Sequence, residues 1–240
     1  MKLSIIIPVL NSHKVVIRQI RHFRKMKLPN TVEIIFVDDG SDPPIQFDSG
    51  MKNFHILYTN DKRPWTQGIA RNLGARFAKG EYLFFTDIDH IISQEAIKAA
   101  LESDYDKMVF RREYGVLDSH GNIRQELPIL YAKGLDPARY RRRKLNAGFH
   151  PTTFSIKKKI FDEMHGFEPR FCQYGFHAGK KFMSEDRDFF LRWQRRVARG
   201  KYRPEIEGPR VFMFPVGRFH VKHDHNPGGM FHDLSLEQPE

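Results

Sequence analysis

Apolar residues in the first part of the chain come in short dense runs rather than in strict alternation. Residues 2–11 (KLSIIIPVLN) and 31–41 (TVEIIFVDDGS) are β-branched stretches ended by turn residues, the pattern of strands buried on both faces. Between them, HKVVIRQIRHFRKM sets Val16, Ile20 and Phe23 at helical spacing among basic residues. FHILYTN is a third strand. TQGIARNLGARFAKG predicts a helix with Ile69, Leu73 and Phe77 on one stripe, closed by Gly80, and EYLFFTDID is a fourth strand. Strands alternating with helices predict an α/β fold with a mostly parallel central sheet flanked by helices. Such sheets bind ligands beyond the carboxyl ends of their strands, and PVLN, DDGS and DIDH all fall at such ends.

After about residue 104 the pattern changes. Short apolar segments (KMVFRREYG, TTFSIKKKIF) alternate with polar, glycine-bearing turns. A further helix is predicted from MSEDRDFFLRWQRRVARG, with Phe189, Phe190, Trp193 and Val197 facing inward. Ser184 is its candidate N-cap, and Glu185, Asp186 and Asp188 crowd the first turn, where the helix dipole favours acids. No internal repeat and no linker rich in Gly, Ser or Pro divides the chain, so a single domain over 1–240 is expected.

Composition narrows the classes. At 240 residues, 40% hydrophobic and 13% aromatic, the chain can bury a core without covalent staples. Its one cysteine, Cys172, excludes an internal disulfide framework and suits a reducing compartment. The apolar opening run is broken by Pro8 and lacks a small-residue cleavage site, so it does not read as a signal peptide. No stretch approaches the roughly 18 apolar residues of a membrane span, and a soluble, cytoplasmic protein is expected. The net charge of +11 predicts anionic partners, with the densest basic stretch at residues 138–146 (ARYRRRKLN). A basic nucleic-acid-binding protein is one reading of that charge, although the aromatic-basic motifs of common RNA modules are absent.

Candidate chemistry begins with Asp87 and Asp89. Residues i and i+2 of a strand point the same way, so both carboxylates can face one hard divalent cation that shares phosphate oxygens. VDDGS sets two more acids after a buried strand, and Arg71 offers a fork of donors suited to phosphate. His220, His223 and His225 lie within six residues of one another beside Pro-Gly-Gly, a cluster of metal-site type with no cysteine partner nearby. Trp65 and Thr66 are candidates for gating a ligand pocket or for capping a loop. His150 is a candidate for ligand contact or for a turn before a strand.

SIIIPVLN, IIFVDDGS, GIARNLGARFAKGEYLFFTDID and GFEPRF…SEDRDFFLRW occur in the order seen in inverting family 2 glycosyltransferases of the GT-A fold, which the chain resembles from residue 3 to about residue 197. The resemblance implies a nucleotide-sugar donor, most often UDP-linked, and a Mn²⁺ or Mg²⁺ ion. It implies a nucleotide-binding half over 1–103 and an acceptor-binding and catalytic half over 104–240. The implied nucleotide site comprises Pro8, Val9, Asn11, Asp38, Asp39, Arg71, Asp87 and Ile88. Pro8 and its neighbours would line the base pocket, Asp39 would contact the uracil, and Arg71 would lie near the uridine or diphosphate. Asp87 would sit against ribose and metal, and Asp89 would bind the metal directly. A late histidine would complete the metal shell, His223 as first choice and His220 as second. Asp186 would be the general base and Glu185 would orient the acceptor or the base. Asp188 is the alternative base, about 200° from Asp186 around the helix. The acceptor would be a glycan, a lipid-linked glycan or another hydroxyl compound, with the basic region available to an anionic acceptor or surface.

Overall fold

The computed structural model describes residues 1–63, 66–132, 149–171, 177–178, 181–182 and 184–213. β1 (Leu3–Val9), α1 (His13–Lys25), β2 (Val32–Asp38), β3 (Phe54–Tyr58), α2 (Gln67–Phe77) and β4 (Tyr82–Phe85) follow the predicted alternation. Then come β5 (His90–Ile91), α3 (Gln94–Glu102), β6 (Lys107–Tyr114) and a small antiparallel pair, β7 (Val116–Leu117) with β8 (Ile123–Arg124). α4 (Leu127–Ala132), β9 (Phe149–Lys157) and α5 (Lys158–Glu163) precede a 3₁₀ turn at Pro169–Phe171. β10 (His177–Ala178) pairs with β11 (Lys181–Phe182), and α6 (Glu185–Ala198) and β12 (Ile206–Met213) follow.

One sheet of eight strands, in the order β3-β2-β1-β4-β9-β6-β12-β5, spans the molecule. β3, β2, β1 and β4 are parallel neighbours, while β9 runs antiparallel to both β4 and β6. β12 is parallel to β6, and β5 antiparallel to β12. β9 and β5 therefore run against the other six strands. The carboxyl ends of β1, β2, β4 and β6 lie at the same end of the sheet as the amino end of β9.

Both sheet faces are covered, as continuous apolar strands require. On one side Leu3, Ile5 and Ile7 pack with Val16, Ile20 and Phe23 of α1 and Ala96 and Ile97 of α3. On the other, Ile6 and Ile35 pack with Ala70 and Ala75 of α2, Phe161 of α5, and Phe189 and Trp193 of α6. The stripe predicted for α2 differs from the one found. The helix buries Gly68, Ala70, Arg71, Gly74 and Ala75, while Ile69 and Leu73 are half-buried and Phe77 is 37% exposed. The reason is close approach: a Cβ on Gly74 would sit 2.6 Å from Ile6 Cγ2, so small residues face the sheet. Gly80 does not close the helix, whose C-cap is Ala78. A Cβ there would meet the Ser4 backbone nitrogen at 2.7 Å, so the glycine is set by contact with β1. Among the described residues no helix is long and apolar enough to cross a membrane.

Candidate active site

The tips of β1 and β2 are laced together by their own polar residues. Asn11 adopts φ 49°, a left-handed conformation that asparagine tolerates. Its backbone N–H donates to Ser41 Oγ at 2.8 Å, and its side-chain oxygen accepts from the Asp42 N–H at 2.8 Å. The two predicted acids after β2 then divide their work. Asp38 accepts the backbone N–H groups of Ser41 and Ile45, each at 2.8 Å, and so shapes the loop from within. Asp39 accepts from the Thr66 hydroxyl at 2.8 Å and the Thr59 hydroxyl at 3.1 Å, which fixes its carboxylate beside the end of β1, where Val9 O takes the Asp39 N–H. Pro8 and Val9 are buried at that strand end. Ile88 packs its side chain into the core under α1, so what it offers the site is its backbone.

The turn after β4 carries the second set of acids. Gln19, wholly buried on α1, donates to the carbonyls of Ile88 at 3.2 Å and His90 at 2.9 Å and holds this turn from below. Asp87 accepts from Arg71 Nη2 on Oδ1 and from the Thr152 hydroxyl on Oδ2, both at 2.5 Å. The register explains the threonine: Phe85 pairs with Phe154 in antiparallel β9, so two residues further on Thr152 stands opposite Asp87. Burial opposes ionisation of Asp87, but Arg71, His150, His90 and the Thr152 hydroxyl together outweigh it and hold the carboxyl well below its usual range. Asp89 is affected the other way, its carboxyl pushed up to about 8 by burial and by the Asp87 charge.

β9 brings histidines to the same place. His150 Nδ1 lies 2.6 Å from Thr152 Oγ1 and 3.4 Å from Asp87 Oδ2. His90 Nδ1 lies 2.6 Å from Thr153 Oγ1, and Arg112 Nη1 reaches its Nε2 at 3.5 Å. The rings of His90 and His150 meet edge-on at 5.0 Å. Burial lowers His90 to about 3, so it is a neutral ring at physiological pH.

Arg71 sits in the wall of the site. It is fully buried beneath the Phe167 ring, 5.5 Å away, with Nη2 on Asp87 and Nη1 3.5 Å from Glu185 Oε1. Its guanidinium engages two carboxylates. Burial would lower its proton affinity, yet Asp87 and Glu185 raise it. Glu185 opens α6, and Asp186 follows it, half-buried. Ser184 occupies the predicted N-cap position, but its hydroxyl donates to Asp186 Oδ1 rather than capping the backbone. Asp188 pairs with Arg192 at 2.7 Å, and Arg192 in turn holds the carbonyls of Met164 and Gly166. The alternative base is thus tied to the loop that carries Phe167.

Asp87 and Asp89 offer hard oxygen donors two residues apart, and burial first and the Asp87 charge second push Asp89 up, an effect that a divalent cation relieves. The residues present therefore fit a Mg²⁺ or Mn²⁺ ion. Asp87, His90 and His150 also bring one ligand atom each within 4.8 Å of one another, though both His90 nitrogens already face protein partners. His220, His223 and His225, Trp65 and the basic stretch at 138–146 lie outside the described residues. Sequence reasoning missed Gln19, Thr59, Arg112, Thr152 and Thr153, and it named Thr66 without seeing that it holds Asp39. The legible signal for the β9 pair was HPTT, polar residues at the head of an apolar strand.

Residues 4–165 match the family model described as Glycosyl transferase family 2. The glycosyltransferase GlyG of Streptococcus pneumoniae is 27% identical over 184 residues, covering 68% of this chain and 59% of GlyG. The poly(ribitol-phosphate) beta-N-acetylglucosaminyltransferase TarS of Staphylococcus aureus is 34% identical over 107 residues, covering 42% of this chain and 18% of TarS. The chain thus spans less than two thirds of either relative. The crystal structure of S. aureus TarS 1–349 superposes with a TM-score of 0.56 at 18% identity, over 89% of this chain and 60% of that one. The same segment in complex with UDP-GlcNAc gives 0.53 at 19% identity, over 88% and 58%. At such identity the likeness is one of fold, the GT-A fold. The family match covers about two thirds of the sequence and includes both acid-bearing strand tips, and on it the chain belongs to glycosyl transferase family 2.

Proposed function

We propose that this chain transfers a hexose or N-acetylhexosamine from a UDP-linked donor to an acceptor hydroxyl, with inversion at the anomeric carbon. The observation that carries the reading is convergence: Asp39, Asp87 and Asp89 at the strand tips and Glu185 with Asp186 at the head of α6 gather at one end of the sheet. Arg71 spans the last two groups. The UDP-GlcNAc complex of a protein with the same fold supports the donor class.

In this reading Pro8, Val9 and Asn11 line the base pocket, and Asp39, held by two threonines, offers an acceptor oxygen to the uracil N–H. The DIDH turn faces the diphosphate through Asp87 and the Ile88 backbone. Asp89, with Asp87 and with His223 or His220, would hold a divalent cation, which supplies charge neutralisation for the departing diphosphate. Asp186 takes the proton of the acceptor hydroxyl as its oxygen attacks the anomeric carbon; the new C–O bond forms while the bond to the UDP oxygen breaks on the opposite face. Ser184 and the Arg187 N–H engage Asp186 Oδ1, which leaves Oδ2 for that proton. Residues 1–103 serve the donor and 104–240 the acceptor and catalysis. A glycan, lipid-linked or anionic acceptor is engaged in part through the basic stretch at 139–144, in the cytoplasm where the single cysteine stays reduced.

Asp186→Asn tests the assignment. Transfer is expected to fall by about 10³-fold, within the range for losing a positioned base, while calorimetry finds UDP affinity within about twofold of the parent. Equal turnover of mutant and parent removes Asp186 from the base role. A panel of UDP- and GDP-sugars that gives no Mn²⁺-dependent binding or hydrolysis sinks the whole reading.

A further inference from the structure

Three segments far apart in sequence meet on one guanidinium. α2 supplies Arg71, the turn after β4 supplies Asp87, and the first residue of α6 supplies Glu185. Arg71 is 0% and Glu185 3% exposed, so their mutual field is little screened by water. The guanidinium is shared unequally, at 2.5 Å from Asp87 and 3.5 Å from Glu185, and its Nε meets no acceptor among the described residues. Phe167 closes over it, and that loop is itself clamped by Asn72, which donates to Phe167 O at 2.7 Å and accepts the Phe167 N–H at 2.9 Å. Arg71 is thus held between two carboxylates, with Gln67 Oε1 a third acceptor 3.3 Å from Nη2.

We infer that Arg71 is a positioning residue that couples the donor subsite to the helix carrying Asp186. This rests on the reading that the donor lies against Asp87 and that Asp186 is the base. A donor engaging Asp87 competes with Arg71 for the same carboxylate oxygens. The hydrogen-bonding capacity that Arg71 gives up there goes to Glu185, one residue before the base. The head of α6 is then held more tightly when the donor is bound, so the base is aligned by donor loading. By linkage, ordering α6 tightens the donor by the same factor.

Amide hydrogen exchange with and without UDP and Mn²⁺ tests this in the full chain. UDP is expected to slow exchange at Asp188, Phe189 and Phe190 by about tenfold in the parent and in Asp186→Asn, within the usual range of site–site coupling. Glu185→Gln keeps the Arg71–Asp87 pair and is expected to lose that slowing. Arg71→Lys, which keeps the charge and removes the fork, is expected to lose most of it. Equal slowing at α6 in the parent and in Glu185→Gln overturns the inference. So does slowing at the Ser41 and Ile45 amides with none at α6 in the parent. If UDP slows no amide anywhere, the donor reading itself fails and takes the inference with it.

Discussion

Arg71 and Lys107 are both buried, at opposite ends of the sheet, and the molecule treats them in opposite ways. Arg71, at the carboxyl ends of the strands, is met by Asp87 and Glu185, whose charges raise its proton affinity against the effect of burial. Lys107 opens β6 at the other end and is 4% exposed. Among the described residues its ammonium meets ring faces, Phe154 and Trp193 at 5.1 Å and Phe190 at 5.9 Å, with no carboxylate in salt-bridge reach. Burial pushes it down to about 8, with Glu205 opposing weakly from a distance. Similar burial, then, has two meanings. Arg71 is held by opposite charges, whereas Lys107 is tolerated by the quadrupoles of the rings around it.

The largest expected effect comes from breaking the first arrangement. Arg71→Met takes the guanidinium away from Asp87 and from buried Glu185, and removing one partner of a buried ion pair costs about 3–5 kcal/mol. Denaturant unfolding at pH 7 measures it; a loss under about 1 kcal/mol, the scale of exposed pairs, contradicts the network.

Lys107→Met probes the other cation, and its sign is opposite. The folded Lys107 loses its proton near pH 8, whereas the unfolded side chain keeps it to the usual 10.5. Between those values the unfolded state binds more protons, so stability of the parent rises with pH across that window. Below pH 8 the penalty is fully present, on the order of 3 kcal/mol before the ring contacts offset part of it. Lys107→Met is therefore expected to be neutral to stabilising at pH 7 and to flatten the rise between pH 8 and 10.5. Thermal or chemical denaturation across that range checks both; a destabilised mutant with an unchanged slope removes Lys107 from this role.

The contrast also marks what the sequence could say. Strands with dense β-branched runs were legible, because a strand buried on both faces needs no alternation, and the rule that sites gather at carboxyl strand ends found DDGS and DIDH. The same rule overlooked HPTT. β9 runs against its neighbours, so its amino end arrives where their carboxyl ends are, and strand direction is not written in a short apolar segment. α2 was misread for a related reason. Hydrophobic periodicity assumes that the larger apolar residues face the core, and here the sheet comes too close for anything but Gly and Ala beside Arg71. For Arg71 the sequence shows the charge and not the partners. Its acids lie 16 and 114 residues away, a separation only the fold closes.

The smallest of these effects comes from one hydroxyl at the site end, which meets both Asp87 Oδ2 and His150 Nδ1. Thr152→Val keeps the shape of a side chain that is 4% exposed while removing the hydroxyl that Asp87 Oδ2 accepts. A hydrogen bond to a charged group contributes about 1.5–3 kcal/mol, but Arg71 still holds the other oxygen, so a stability loss near 1.5 kcal/mol is expected. The functional consequence should be selective. Asp87 loses the contact that fixes its rotation about the Arg71 bond, so UDP affinity is expected to weaken by about fivefold, roughly the 1 kcal/mol scale of one lost orienting contact. Calorimetric titration of UDP against parent and mutant makes the comparison. Unchanged affinity alongside the stability loss would place Thr152 with Lys107, as a buried group that the site does not use.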